Sequence, residues 1–304
     1  MQSCRRTFLT GSLGLAATSA FAERKVPRDP GAHYRIGLNA YSFNAPLRAG
    51  TMTLEDVIHY CAQHSIDAVD PTGYYFPGYP KIPSDEAIFR LKRTAHVNGV
   101  TLSGTGVRND FAVADREARR RDVQMVKEWI EVAAKLGAPV IRVFSGATQP
   151  EGFTPEQVTE WMVADFRECA AHAARFGVIL GLQNHNDFIK TATQAIGIID
   201  AVDSEWFGSI LDIGSLRQNE VYSEIEKLVP YAVSWQLKEE VATGVKTDLR
   251  KVKAIIDRAG YRGFLPIETL GRGDPKVKVA EFVDQVRGFR IVAHATPIFI
   301  EDAY

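Results

Sequence analysis

Apolar runs that are typical of buried strands alternate with helical patterns along almost the whole chain. The strand-like runs lie at residues 35–43, 67–71, 100–106, 139–146, 178–184, 208–214, 232–239 and 263–271. The helical patterns that follow them cover residues 53–64, 84–98, 117–136, 154–176, 191–202, 221–228, 247–259 and 274–289. A strand followed by a helix, repeated in strict succession, predicts a parallel sheet covered by helices.

The number of these repeats distinguishes a closed sheet from an open one. Eight strand-helix units in about 260 residues match the usual size of a closed barrel. No GxGxxG motif follows the first strand, which disfavours a dinucleotide-binding fold. No linker or change of composition divides the chain. The sequence therefore predicts an α/β protein with a single domain, a (β/α)8 TIM barrel.

The N-terminus has the pattern of an export signal of the twin-arginine kind. Arg5 and Arg6 precede a short apolar stretch and a small-x-small cleavage site at residues 20–22. The apolar stretch is too short to form a permanent membrane anchor. We therefore predict that residues 1–22 are a signal peptide, that residues 23–304 form the mature barrel, and that the mature protein is periplasmic or otherwise exported.

The charge balance narrows the choice of partners. The chain has 36 basic and 37 acidic residues. Without Arg5 and Arg6, 34 basic residues remain and the net charge is 34 − 37 = −3. No basic block suits nucleic acid, so a small neutral or anionic ligand is the expected partner. Cys61 and Cys169 lie in separate helical patterns without metal-ligand spacing, which favours buried thiols over a disulfide or metal site. The sequence leaves open whether the chain forms a homo-oligomer.

Polar side chains are placed at the carboxyl ends of six predicted strands. Active sites of (β/α)8 barrels lie at this end, where side chains from several strands converge. Residues two apart on a strand share a face, so paired polar positions face the barrel together. The candidates are Asn39 and Tyr41 on strand 1, Arg142 on strand 4, Gln183 and His185 on strand 5, Asp212 on strand 6, Gln236 and Lys238 on strand 7, and Glu268 on strand 8.

Four of these residues can carry chemistry. Asp212 and Glu268 each end an apolar run, and a buried carboxylate at a strand end is more typical of a site than of a turn. Lys238 either forms a structural ion pair with one of these carboxylates or contacts the substrate. His185 is open between a metal ligand, an acid/base group and a hydrogen-bonded wall.

Further candidates for substrate binding lie in the loops at the barrel mouth. Tyr74 belongs to an aromatic segment at residues 70–80, and aromatic rings suit the apolar faces of a sugar. The alternative is a lid that only covers the core. Arg108 and Asn109 follow strand 3 beside this segment. We predict a substrate-binding set of Asn39, Tyr41, Tyr74, Arg108, Asn109 and Arg142, with ion pairing to neighbouring carboxylates as the alternative for both arginines.

The motifs LNAYSF, LGLQNHNDF, ILDIGS, WQLKEE and LPIETLG resemble the xylose-isomerase-like TIM-barrel superfamily, commonly labelled sugar phosphate isomerase/epimerase. The resemblance covers nearly the whole predicted mature chain. It implies one divalent metal held by Glu, Asp, His and Glu at the ends of strands 5 to 8. In the epimerases of this family the two glutamates also move the proton at a carbon beside a carbonyl.

This chain departs from that pattern at two of the four positions. The corresponding residues are Gln183, Asp212, Gln236 and Glu268. Their oxygens still suit a hard cation, so the resemblance implies Mg²⁺ or Mn²⁺ as the cofactor. The loss of one negative charge and one imidazole should lower the affinity and make zinc less favoured.

The same changes affect the predicted reaction. Glu268 remains the best base, whereas Gln183 cannot accept a proton as a carboxylate does. His185 or Lys238 would have to assist. We predict a carbohydrate isomerase or epimerase that abstracts a proton next to a carbonyl of a free or oxidised sugar, with a metal or Lys238 stabilising the enolate oxygen. The alternatives are a lyase or hydratase acting on a keto-sugar or keto-glycoside, and a noncatalytic sugar-binding barrel.

Overall fold

The structure is a computed structural model that describes residues 25–185, 188–216 and 219–291. The predicted signal peptide lies outside the described residues. All eight predicted strands and all eight predicted helical patterns are present, which confirms the (β/α)8 prediction. None of the described helices is long and apolar enough to cross a membrane.

The strands form one parallel sheet and a small separate hairpin. Their bounds are β1 His33–Asn39, β2 Ala68–Asp70, β3 Thr101–Leu102, β4 Thr105–Gly106, β5 Val140–Phe144, β6 Ile179–Gln183, β7 Phe207–Asp212, β8 Ala232–Lys238, β9 Glu240–Ala242, β10 Val245–Lys246 and β11 Arg262–Glu268. The strand order in the large sheet is β3-β2-β1-β11-β8-β7-β6-β5-β4, and the hairpin pairs β9 with β10.

The helices surround this sheet. They are α1 Asn44–Arg48, α2 Leu54–Gln63, α3 Asp85–Val97, α4 Arg116–Leu136, α5 Pro155–Arg175, α6 Ala192–Val202, α7 Val221–Leu228, α8 Leu249–Ala259 and α9 Pro275–Ile291. Several begin with the capping chemistry that their sequences predict. In α5, for example, Thr154 and Gln157 form a capping box, with Pro155 at the first helical position.

The third barrel strand is interrupted, and its two halves pair with different neighbouring strands. Its first half, β3, pairs with β2, whereas its second half, β4, pairs with β5. Ser103 and Gly104 separate the halves. A Cβ atom on Gly104 would lie 3.3 Å from Oδ2 of Asp70 and 3.4 Å from the carbonyl oxygen of Val140, so the break brings its backbone close to both neighbouring strands. The two ends of the sheet therefore meet at one interrupted strand.

The register of the parallel strands brings polar residues side by side at the carboxyl ends. Gln236 is the partner of Asp212 across β7 and β8, and Lys238 is the partner of Glu268 across β8 and β11. Trp235, which alternates with these positions on β8, is buried and packs against Tyr261. The period-two alternation thus separates a polar inner end from an apolar helix-facing side.

Two local features differ from the sequence prediction. The first strand was expected to run to residue 43, but it ends at Asn39, and residues 40–43 form a 3₁₀ turn. The side chain of Asn39 accepts a hydrogen bond of 2.9 Å from the backbone N–H of Tyr41 and caps this turn. Helix α1 and the β9–β10 hairpin were not predicted, because such short elements show no measurable periodicity.

The two cysteines outside the predicted signal are buried and unbonded. Cys61 lies in α2 and Cys169 in α5, as their helical patterns predicted. Burial raises the pKa of both thiols. They therefore contribute to the core as small apolar side chains.

Candidate active site

A cavity of about 460 Å³ opens at the carboxyl ends of the barrel strands. Its volume lies in the range of small-molecule sites. Ten of the twelve predicted site residues line it: Tyr41, Tyr74, Arg108, Asn109, Arg142, Gln183, His185, Gln236, Lys238 and Glu268. The structure therefore brings the catalytic, metal-ligand and substrate-binding candidates to one place.

The ammonium of Lys238 lies between two carboxylates at the floor of this cavity. Its Nζ is 2.8 Å from Oδ2 of Asp212 and 3.3 Å from Oε1 of Glu268. All three side chains are nearly or completely buried. The ion-pairing interpretation of Lys238 is correct, and since Lys238 and Glu268 also line the cavity, the pair remains within reach of a ligand.

Burial and charge together shift the pKa values of this triad. Burial raises the pKa of Glu268, the charge of Asp212 adds to the effect, and Lys238 and Arg142 oppose it. Burial also opposes the charged form of Asp212, but Lys238 and the hydrogen bonds of Ser215 and Gln183 hold its pKa below the ordinary value. For Lys238, the two carboxylates overcome burial and raise the pKa. Asp212 and Lys238 are therefore charged at neutral pH, and Glu268 is the better proton acceptor.

The amide of Gln183 has a defined orientation because its neighbours differ in chemistry. Nη1 of Arg142 donates to Oε1 of Gln183 over 3.1 Å. Nε2 of Gln183 donates to Oδ2 of Asp212 and to Oε1 of Gln236, both over 2.7 Å. A guanidinium has only donors and a carboxylate only acceptors, so the reverse orientation would lose both partners. The face of Gln183 towards Asp212 is therefore an N–H group without a lone pair.

Asp212 is held from behind by residues that the sequence did not single out. Asn184, fully buried, accepts from the backbone N–H of Asp212 and donates to its carbonyl oxygen, both over 2.8 Å. Ser215 donates its hydroxyl to Oδ2 over 2.7 Å, and the N–H of Gly214 donates to Oδ1 over 2.9 Å. Asp212 does not line the cavity itself, so it acts on the site through Lys238 and Gln183.

The donor set formed by Gln183, Asp212, Gln236 and Glu268 does not fit a divalent cation. Gln183 presents an N–H group, and Lys238 already lies where the two carboxylates converge. A dication held by these two carboxylates would lie beside the ammonium and be repelled by it, because like charges at such short distances repel strongly inside a protein. Among the described residues, no three His, Cys, Asp or Glu side chains are grouped to hold a metal. The Mg²⁺ or Mn²⁺ that the family resemblance implies therefore lacks a suitable ligand set at these four residues.

Arg142 is a buried cation rather than a charge at the rim. Its guanidinium packs against Gly106, where a Cβ atom would lie 2.6 Å from Nε, and its Cζ lies 4.4 Å from the ring centre of Phe144. Besides Gln183, it contacts the hydroxyl of Tyr74 at 3.3 Å. Its side chain thus connects the aromatic mouth to the polar floor. Arg142 is therefore buried beneath the mouth, whereas Arg108 is exposed.

The remaining substrate-binding candidates have mixed placements. Tyr41 and Tyr74 form an edge-to-face pair with ring centres 6.3 Å apart, as expected of an aromatic wall. Asn109 lines the cavity, but its amide is engaged with the backbone N–H and carbonyl of Phe144. Asn39 does not line the cavity, because its side chain caps the turn after β1. The ring of His185 lies edge-on to Phe144, with centres 5.3 Å apart.

Asp70, at the end of β2, is a buried carboxylate that the sequence interpretation missed. It is 8% exposed, and its Oδ1 has no hydrogen-bond partner among the described residues. Burial raises its pKa from 3.8 to about 6, with Arg142 opposing and Glu268 adding to the effect. The Asp-Pro sequence at residues 70–71 resembles an ordinary turn, so no local signal marked it.

The Asp70 carboxyl should make stability depend on pH. Since its folded pKa exceeds its unfolded pKa, its contribution is full at low pH and is lost as the pH rises through about 6; the two values correspond to about 3 kcal/mol. Asp70→Asn should remove this part of the decline in the free energy of unfolding between about pH 4 and about pH 6, measured by urea titration. The exposed Asp29→Asn is the control. Parallel pH profiles of Asp70→Asn and the unmodified chain would contradict the assignment.

Comparisons with known proteins agree with this architecture. The model of the xylose isomerase-like TIM barrel family matches residues 58–288. A search of curated proteins finds no matching relative. Three solved structures illustrate the shared fold. An L-ribulose 3-epimerase has a TM-score of 0.71 and 17% identity, covering 87% of this chain and 99% of that one. The 3-keto-D-glucoside 4-epimerase YcjR from E. coli has a TM-score of 0.70 and 14% identity, covering 84% and 100%. The IOLI protein with a bound zinc atom has a TM-score of 0.65 and 16% identity, covering 85% and 97%.

These structural likenesses, at such low identity, establish the fold alone. The family match extends over three quarters of the chain, from α2 into α9, and includes every cavity-lining residue except Tyr41. The chain belongs to the xylose isomerase-like TIM barrel family.

Proposed function

We propose that this protein is a carbohydrate isomerase or epimerase that abstracts a proton from a carbon beside a carbonyl. The observation that carries the proposal is the contact of 3.3 Å between Glu268 and the ammonium of Lys238 at the floor of a sugar-sized cavity. A base and a cation placed side by side can act on neighbouring atoms of one substrate. Removal of a proton next to a carbonyl needs this combination.

Glu268 is the proton acceptor in this proposal. Burial raises its pKa, which brings the carboxylate closer to the basicity that suits proton abstraction near neutral pH. It lies at the end of β11, a strand held by β1 on one side and β8 on the other, so its position is fixed by the sheet. Glu268 takes the proton as the carbon–hydrogen bond breaks, and the electron pair of that bond moves to the carbonyl oxygen. Return of the proton from Glu268 to the neighbouring carbon then gives the isomer.

Lys238 supplies the positive charge that the resulting enolate oxygen needs. Its Nζ has three N–H donors, and Asp212 and Glu268 account for two of them. The third can donate to the oxygen on which negative charge develops. Because the ammonium is nearly buried, this interaction is stronger than it would be in water.

Gln183 argues for chemistry with a single carboxylate base. Its amide cannot accept a proton, and its N–H and carbonyl groups are engaged by Asp212, Gln236 and Arg142. His185 lines the same cavity and can exchange a proton with a substrate oxygen. The presence of His185 in the cavity also favours a second candidate function, a lyase or hydratase. In that reaction Glu268 removes the proton beside the carbonyl, and His185 protonates the oxygen that leaves from the neighbouring carbon.

The substrate class is supported by the cavity walls. Tyr41 and Tyr74 offer apolar ring faces to a sugar. The Gln236 amide and Arg108 at the rim offer hydrogen bonds to its hydroxyl groups. Two solved structures of similar fold are an L-ribulose 3-epimerase and a 3-keto-D-glucoside 4-epimerase. Export through a twin-arginine signal at residues 1–22 is part of the proposal, and it favours free or oxidised sugars over sugar phosphates.

A divalent metal is the competing source of positive charge. The IOLI protein, which shares this fold, binds a zinc atom, and this supports metal use in that protein. In this chain, the predicted Mg²⁺ or Mn²⁺ would have to be held by Gln183, Asp212, Gln236 and Glu268, which the donor chemistry above does not suit.

The proposed function predicts exchange of a substrate hydrogen with solvent. Free ketoses, aldoses and 3-keto-glycosides are incubated with the protein in D₂O and examined by NMR. At least one of them should gain deuterium on the carbon beside its carbonyl. An isomer or epimer as the product supports the first candidate, and an unsaturated or hydrated product supports the second. Saturable sugar binding without exchange or product would instead indicate a noncatalytic barrel.

A further inference from the structure

The cationic centre of the cavity is part of the chain itself. Lys238 is the residue on β8 that faces both Asp212 on β7 and Glu268 on β11. Its side chain is 11% exposed, so it is largely shielded from bulk water. The two carboxylates therefore converge on an ammonium that is covalently fixed by its strand.

The Gln183 amide beside this ammonium is hydrogen-bonded on both of its ends. Gln183 donates to Asp212 and Gln236 and accepts from Arg142. Arg142 itself is fixed against Gly106 and by contact with Tyr74, so it cannot leave Gln183 without breaking further contacts. If the Gln183 amide turned over, its oxygen would face the carboxylate of Asp212 and its NH₂ group would face the guanidinium of Arg142. Acceptor would then face acceptor, and donor would face donor. These hydrogen bonds thus favour the ammonium and oppose a metal ion.

We infer that Lys238 replaces the divalent metal that the fold family implies, as a built-in cation that holds the two carboxylates and faces the substrate oxygen. This inference deepens the proposed function and rests on it for the role towards substrate. The exclusion of a metal ion depends only on the geometry of Lys238, Asp212, Glu268 and Gln183. Metal titration without substrate therefore tests the inference, and deuterium exchange with substrate tests the proposed function. Either result can be negative without the other.

Metal binding to the full chain tests the inference without any measurement of activity. Mg²⁺, Mn²⁺ and Zn²⁺ are titrated separately by calorimetry into the unmodified chain and into Lys238→Met/Gln183→Glu, which removes the ammonium and adds a carboxylate. The matched control Lys238→Met/Gln149→Glu has the same net charge, but the new carboxylate is in an exposed position outside the cavity. Circular dichroism checks that each protein is folded.

The unmodified chain should bind none of the three ions below about 1 mM and retain none in elemental analysis, whereas Lys238→Met/Gln183→Glu should bind one Mn²⁺ per chain at least about 100-fold more tightly. The control should bind more weakly than that variant. One metal per unmodified chain would overturn the inference, and this result does not depend on the folding of any variant. A folded Lys238→Met/Gln183→Glu without metal affinity would also overturn it, because the ammonium would then not occupy a metal position.

Discussion

Glu268→Gln should lower kcat for exchange of the hydrogen beside the carbonyl by about 10²- to 10⁴-fold, the usual contribution of a positioned base. The amide has nearly the same shape as the carboxylate and its oxygen can still accept from Lys238, whose Nζ lies 3.3 Å away. It cannot take a proton. The dissociation constant of the sugar, measured by tryptophan fluorescence or calorimetry, should therefore change much less than kcat.

The control for this variant is Glu151→Gln, which makes the same chemical change at an exposed position. It should leave kcat and binding unchanged. If Glu268→Gln retains the kcat of the unmodified protein, Glu268 is not the base. If it loses sugar binding in the same proportion as kcat, the carboxylate serves binding instead of proton transfer.

Trp129→Ala should cost about 3–5 kcal/mol in the free energy of unfolding and also weaken substrate binding. Trp129 in α4 is completely buried, and its ring centre lies 5.7 Å from that of Phe76 and 5.4 Å from that of Tyr79. Its Nε1 donates to the carbonyl oxygen of Pro80 over 2.9 Å. Truncation would leave a cavity beneath the aromatic segment that carries Tyr74.

The matched variant Trp129→Phe separates packing from hydrogen bonding. It keeps a buried aromatic ring but loses the bond to Pro80 and part of the indole volume, so it should cost less than Trp129→Ala, about 1–3 kcal/mol. Urea unfolding gives the stabilities, and KM for the sugar reports on the aromatic wall. A cost below about 1 kcal/mol for Trp129→Ala would show that the segment packs independently of α4.

The sequence was sufficient to predict the barrel and most of the residues that line its cavity. The reason is geometric: in a parallel sheet every strand ends on the same side, so Gln183, Asp212, Gln236 and Glu268 must meet if their runs are strands. The two-residue period then placed Lys238 on the same face as Gln236. Both steps need only the pattern of each strand taken separately.

The interactions within the site depend on relations between strands, which the pattern does not contain. Lys238 contacts Glu268 because the register of β8 against β11 pairs them, and one residue of slippage would separate them. The orientation of the Gln183 amide depends on Arg142, and Arg142 lies flat because the neighbouring strand has Gly106 at the point of contact. Asp70 and Asn184 were missed for the same reason, since their importance lies in burial and in partners distant along the chain.

The position of Lys238 between two carboxylates also determines how the site responds to ion concentration. A dissociable metal obeys mass action, so the fraction of loaded protein and the stability gained from loading both fall when the free ion becomes scarce. An ammonium carried by the strand is present once in every folded chain at any dilution. Under this arrangement no folded chain lacks its central cation, and chelators should change neither the melting temperature nor the rate.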